Sequence, residues 1–366
     1  MNIECVVEKL ESAVSKAYRV TGKNLTLPIL SALYLKAHNN SLIIKATNLD
    51  IGVEVTIPVR VIKDGEIAIP ADVFMSFINS ISKNEKLNLN VVEGVVEIQT
   101  PTNKTKITTQ SIDDFPSIPH IEKGKKCHIK KQNLISGLQS VVFSASHSSI
   151  KPELSSVYIY NKNNQLFFVA TDSFRLAEKN VSLEGEYGGD SILLPAKNIP
   201  EIIRICDEGD DEIEIVTDTN QISFSYSGVY VVSRTIDGVF PDYNQIIPKE
   251  YSTEVTLLKD DFIKALKTVT IFSNKLNQVT FSIKKTEKYF SISTKNTDVG
   301  ETETKLNSSI EGDDVVITFN HKYIMDCFSS INTDSVILKL NNENKPMVIK
   351  PVSDSSFLYL VMPMNV

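Results

Sequence analysis

SSVYIYNKNNQLFFVATD, residues 155–172, reads as a β-hairpin: two apolar, β-prone runs flank a polar turn at Asn163-Asn164. Asparagine tolerates the positive φ that a two-residue hairpin turn needs. The pattern recurs. SALYLKAHNNSLIIKATN (31–48) and NQVTFSIKKTEKYFSISTKN (277–296) lie over it, and their ends Asn48, Asp172 and Asn296 are 124 residues apart both times. An internal period of this size sets the architecture before any single element does.

Working outward, the same period holds on both sides of the hairpin. Ahead of it lie amphipathic segments in which Leu10, Val14 and Ala17, then Leu134, Leu138 and Val141, then Phe262, Leu266 and Val269 share a face. Leu10, Leu134 and Phe262 are 124 and 128 residues apart. Behind it, IPADVFMSFINSI, LPAKNIPEIIRICDE and TFNHKYIMDCFSSI predict second helices starting at Ala71, Ala196 and Asn320, spaced 125 and 124. Phe115-Pro116 and Phe240-Pro241 are again 125 apart. Alternating strands such as Ile51, Val53, Val55, Ile57 and Ile222, Phe224, Tyr226 fill the remainder. Each unit is therefore an α+β domain, antiparallel sheet plus two helices, and the expected domains are 1–124, 125–249 and 250–366. Their joins fall near the polar EKGKK of 122–126 and near 248–253, with no Gly/Ser tether, so rigid juxtaposition is expected.

Composition narrows the function classes. The 366 residues are 42% hydrophobic and 23% charged, ordinary globular values for two or three domains. The N-terminus has no secretory leader pattern, and no apolar run nears the roughly 18 residues of a membrane span. Cys5, Cys127, Cys206 and Cys327 are scattered without a CxxC pair, as befits buried thiols in a reducing cytoplasm. The net charge of −7 argues against a repressor or nuclease that grips phosphates, but not against a protein that surrounds DNA and holds it weakly. GxxxxGK[ST], GxGxxG, GxSxG and HExxH are absent, and His38, His120, His128, His147 and His321 are dispersed. Cys127-His128 would point to opposite faces of a strand, and the acidic run 207–212 lacks EF-hand spacing. A non-catalytic protein without metal or cofactor is expected.

Four motifs in order, LPILSALYL (27–35), ATDSFRLA (170–177), FPDYNQIIP (240–248) and LYLVMPM (358–364), resemble the beta sliding clamp of bacterial DNA polymerase III along the whole chain. That resemblance implies three tandem DNA-clamp domains closing head-to-tail with a second copy into a dimeric ring. At ~10 Å per helix, two helices from each of six units would line a bore of roughly 28 Å, enough for duplex DNA. The implied role is processivity factor, tethering the polymerase III alpha subunit, the clamp loader, other polymerases and repair proteins. The alternative is a repeat-built interaction scaffold that never encircles DNA.

The resemblance also implies sites. A client peptide pocket maps onto Leu154, Thr171, Ser173, Phe174, Arg175, Leu176, Pro241 and Ile246, completed by Leu276, Pro346, Leu360, Val361, Met362, Pro363 and Met364. Methionine suits a groove that re-packs around different partners, and Arg175 is a candidate for fixing the peptide's polar atoms. The same residues are compatible with a last core strand and a local Asp172–Arg175 ion pair. Phe174 stands where some relatives have His or Tyr, and Gln245 where some have a basic residue. DNA contacts are implied at Lys23, Asn24, Ser148 and Lys151, although Pro152 and Glu153 replace aromatics found in some relatives. Lys197, Arg204 and Lys322, with Lys9, Lys16, Arg19, Lys130, Lys131, Lys264 and Lys267, would make the bore basic, or are ordinary solvated helix faces. The dimer contact is expected at Ile107 in TKITT and at Ile271 and Phe272 in TIFSN, residues equally fit for core packing.

Overall fold

The computed structural model describes residues 1–22, 26–183, 189–208 and 211–364. Six α-helices form among them: α1 (Val7–Tyr18), α2 (Ala71–Asn79), α3 (Lys131–Val141), α4 (Ile199–Asp207), α5 (Lys259–Thr270) and α6 (His321–Asp326). They fall two to a repeat, where the period places them. The reason is visible in α1 and α5. Val7, Leu10, Ala13, Val14 and Ala17 are buried on one stripe of α1, and Phe262, Ala265, Leu266 and Val269 on one stripe of α5. Acidic residues open both helices (Glu8; Asp260, Asp261) and lysines close them (Lys16; Lys267), complementing the helix dipole. The helix α6 begins after Asn320, whose side chain accepts the Lys322 N–H at 3.0 Å, a cap that satisfies one orphan donor.

The chain forms two compact units. The first comprises Met1–Ile135, Leu183–Gly189 and Asn198–Thr235. It holds a five-stranded and an eight-stranded antiparallel sheet. In the larger one Ile51–Pro58 of the first repeat pairs with Val229–Arg234 of the second, with Val53 opposite Val231. The second unit comprises Ser136–Ser182, Asp190–Lys197 and Ile236–Val366. It holds a nine-stranded and a four-stranded sheet. There Arg175–Ser182 pairs with Phe357–Val361, with Leu176 opposite Leu360. The core of the four-stranded layer is aromatic: the Phe262 ring on α5 meets Phe281, Phe290 and Phe328 at centroid distances of 5.8, 6.3 and 5.4 Å.

Hairpin turns follow the asparagines. Asn39 and Asn40 have φ of 49° and 56°, and Asn163 and Asn164 have 53° and 57°, the two consecutive left-handed residues of a type I′ turn. All four cysteines are free and buried, and burial pushes the thiols of Cys5, Cys127 and Cys206 up to about 12. Cys127 faces the core from Lys125–Lys130 while its neighbour His128 is exposed.

Candidate peptide-binding site

The site is built on one tight turn in the second unit. Thr171 Oγ1 donates to the Arg175 carbonyl at 2.7 Å and accepts the Ser173 N–H at 3.1 Å. Asp172 Oδ1 accepts the N–H groups of Phe174 and Arg175 at 2.9 and 3.0 Å. The side chains thus supply the turn's missing backbone partners, and Ser173 takes a left-handed φ of 78° to close it. The Phe174 carbonyl then accepts the Met362 N–H at 2.8 Å, fixing the C-terminal segment against the turn.

Within the turn the two side chains split their roles. Arg175 is buried; its Nε donates to Asp172 at 2.9 Å, its Nη1 to Asp326 at 2.5 Å, and its guanidinium lies 4.7 Å from the Tyr323 ring centroid. A buried cation with two carboxylates and an aromatic face is a strut. Phe174, by contrast, is 59% exposed and stacks loosely on Tyr323 at 6.4 Å.

The opposite wall is the FPDYNQIIP segment. Phe240 stacks on Tyr158 at 4.8 Å. The Tyr243 hydroxyl donates to Glu178 at 2.5 Å and meets the Tyr160 hydroxyl at 2.7 Å. Burial first, and then Glu178, hold the Tyr243 phenol far above its ordinary pKa. With these two rings sunk in the core, the chain continues so that Ile246 is 45% exposed. Ile246, Pro346 and Met362 line a cavity of about 560 Å³, with Gln245, Asn342 and Lys345 on its rim. Beneath it Met362 packs on a buried cluster that includes Leu176, Leu360 and Val348. Apolar floor and polar rim together give the cavity the character of a groove for an extended chain, a candidate site for a peptide.

The fold therefore brings Thr171, Ser173, Phe174, Arg175 and Met362 together by hydrogen bonds, and Ile246, Pro346 and Met362 around one cavity. Val361 is buried opposite Arg175, Pro363 is half-buried, and the half-buried Met364 donates its N–H to the Thr318 carbonyl at 2.8 Å. Leu154 is buried, Pro241 exposed and Leu276 60% exposed, and none of the three lines this cavity. Tyr323, Asp326 and the polar stretch 341–345 escaped the sequence reading. Their partners lie far along the chain, so no local pattern announces them.

Of the implied DNA contacts, Lys23 and Asn24 lie outside the described residues. Ser148 and Lys151 are exposed on a loop whose Ile150 is 87% exposed. Lys197 precedes α4, Arg204 pairs with Glu201 on that helix at 3.0 Å, and Lys322 is exposed in the first turn of α6. Lys16 departs from the basic-face reading: it is buried, and its Nζ sits 2.7 Å from both Glu208 and Ser12. Ile107 belongs to the edge strand Lys104–Thr108, opposite Val96, and is 5% exposed. Ile271 is 70% exposed and Phe272 half-buried beside Gly300. Among the described residues, no cluster of His, Cys, Asp and Glu is placed to hold a metal ion, and no helix is long and apolar enough to cross a membrane.

Three family models match in tandem: the N-terminal domain of the DNA polymerase III beta subunit over residues 1–119, its central domain over 128–242 and its C-terminal domain over 244–365. Among curated proteins the chain is 25% identical to the beta sliding clamp of Staphylococcus epidermidis, covering 93% of each, and 26% identical to that of Synechocystis, covering 100% and 99%. The solved DNA polymerase III beta subunit of Thermotoga maritima superposes with a TM-score of 0.94 at 27% identity, covering 100% of this chain and 99% of that one. Three tandem DNA-clamp domains are thus the class of this fold. The chain belongs to the DNA polymerase III beta subunit family.

Proposed function

We propose that this protein is a DNA polymerase processivity factor, a non-catalytic sliding clamp. The observation that carries the reading is the agreement between an internal period of 124 residues and three consecutive clamp-domain matches. Two copies join head-to-tail into a ring around duplex DNA in the cytoplasm, the first domain of one meeting the third of the other near Ile107, Ile271 and Phe272. The exposed Ile271 and the unpaired edge of Lys104–Thr108 support that contact. Domain limits are 1–124, 125–249 and 250–366. A net charge of −7 with dispersed lysines suits a protein that slides on DNA without fixing register.

Clients dock in the slot at Ile246, Pro346 and Met362: the polymerase III alpha subunit, the clamp loader, other polymerases and repair proteins. Phe174 offers an aromatic contact, Thr171, Ser173 and the strut Arg175 hold the wall, and Leu176 and Leu360 form the floor. Lys23, Asn24, Ser148, Lys151, Lys197, Arg204 and Lys322 are the proposed DNA contacts. Removing residues 362–366 deletes the methionine that walls the slot and the Met362 bond to Phe174. Titration calorimetry with a polymerase-derived clamp peptide is expected to show binding abolished; unchanged affinity contradicts the site.

A further inference from the structure

We propose that the first compact unit carries a second peptide slot, a repeat copy of the one above, that takes an extended segment with a single carboxylate beside an apolar residue. The inference rests on reading the first slot as a peptide site, because the copy is argued by correspondence.

That correspondence is made bond by bond. Thr47 Oγ1 donates to the Ile51 carbonyl at 2.9 Å and accepts the Leu49 N–H at 3.0 Å, as Thr171 does for Arg175 and Ser173. Asn48 Oδ1 accepts the N–H groups of Asp50 and Ile51, both at 3.0 Å, as Asp172 does one period later. Leu49 has a left-handed φ of 77°, matching 78° at Ser173. The Asp50 carbonyl accepts the Arg234 N–H at 2.9 Å, where the Phe174 carbonyl accepts that of Met362. Strand register agrees: Ser233 lies opposite Ile51 just as Val361 lies opposite Arg175. Arg234 thus occupies the place of Met362. Gln221, paired with Arg234, takes that of Pro346, which precedes the Met347 paired with Val361. Pro116 lies one period before Pro241, and unlike Pro241, which stays outside the first cavity, it lines this one. Thr47, Leu49, Asp50, Pro116, Gln221 and Arg234 line a cavity of about 320 Å³.

The chemistry of the copy differs where it matters for selection. The side chain that is soft and apolar in the first slot is here an exposed guanidinium, and Arg234 forms no ion pair among the described residues. Leu49, 38% exposed, with Pro116 and Pro119 offers an apolar rest within reach of it. A carboxylate on an extended segment gains charge-assisted hydrogen bonds from an unpaired arginine. Arg234 is the one basic side chain among the described residues that line this cavity, so it balances a single carboxylate, which favours a singly acidic segment over a polyacidic one.

The test uses the full chain and an acetylated, amidated hexapeptide containing Leu-Asp-Leu and a terminal benzoylphenylalanine photoprobe. Cross-links are expected at 47–52 and 116–119, with affinity at least tenfold lower in Arg234→Glu, at least fivefold lower for the Leu-Asn-Leu peptide, and largely kept in Arg234→Lys. Cross-links confined to 171–176 and 362, no binding, or an unchanged Arg234→Glu would each overturn the second slot. The chain lacking residues 362–366 separates the two readings. Loss of polymerase-peptide binding there supports the first slot, and its retention overturns the first slot. Acidic-peptide cross-links at 47–52 that persist in that truncated chain support the second slot, and their loss overturns it.

Discussion

The guanidinium of Arg175 donates to Asp326 across 2.5 Å, tying the turn that opens one strand to a helix 151 residues further along the chain. Asp172 holds the other side of the same cation, so the turn, α6 and the slot wall form one strut. Asp326→Asn leaves a buried cation with one charged partner. Because Asp326 is 45% exposed, solvent offsets part of the loss, and destabilisation by about 1–2 kcal/mol is expected. Denaturant midpoints check this, and a severalfold weaker clamp peptide in calorimetry checks the link to the slot.

Tyr243→Phe removes one hydroxyl and leaves Glu178 without its donor. An unsatisfied, partly buried carboxylate costs about 1–3 kcal/mol. The variant is expected to unfold at lower urea and to bind clamp peptide more weakly, since Tyr243 anchors the segment that presents Ile246. Wild-type stability in this variant would mean that the bond is idle.

Gly137 sits in α3, where helix propensity alone favours alanine by about 1 kcal/mol. A Cβ there would run into the Phe168 ring, which is fully buried. Packing wins: Gly137→Ala is expected to destabilise by about 1–3 kcal/mol rather than stabilise. A raised melting temperature would contradict this.

His321 is buried with its Nε2 unpartnered among the described residues, and burial first and Lys322 second hold its pKa below the ordinary 6.5. The unfolded chain therefore takes up a proton at a pH where the folded chain does not. Stability rises with pH from the depressed folded value up to the unfolded one, and this contribution is complete above it. Urea midpoints measured between about pH 5 and pH 7.5 should rise in the wild type and rise less in His321→Gln. An identical slope in both would contradict the assignment.

Much of the fold is legible in the chain because it is written three times. The 124-residue spacing of Asn48, Asp172 and Asn296 locates the hairpin ends, Ala71 opens α2, and the paired asparagines take the left-handed turn. Long-range pairings are not legible. Nothing local marks Val229–Arg234 as the neighbour of Ile51–Pro58, or Asp326 as the partner of Arg175. Lys16 shows the same limit: its spacing fits a solvated face, yet Glu208, 192 residues away, draws it inward. Ile107 shows another. Alternation identifies an inward side chain but does not separate a core from an interface, and here it is 5% exposed within the single chain.

The most direct test of the account is topological. The protein is labelled, loaded by a clamp loader onto nicked circular DNA, and followed by gel filtration before and after the circle is cut once. Retention on the circle and release on linearisation are the predicted results, because a ring held only by topology slides off a free end. Equal retention on both forms, or none on the circle, would contradict a clamp that encircles DNA.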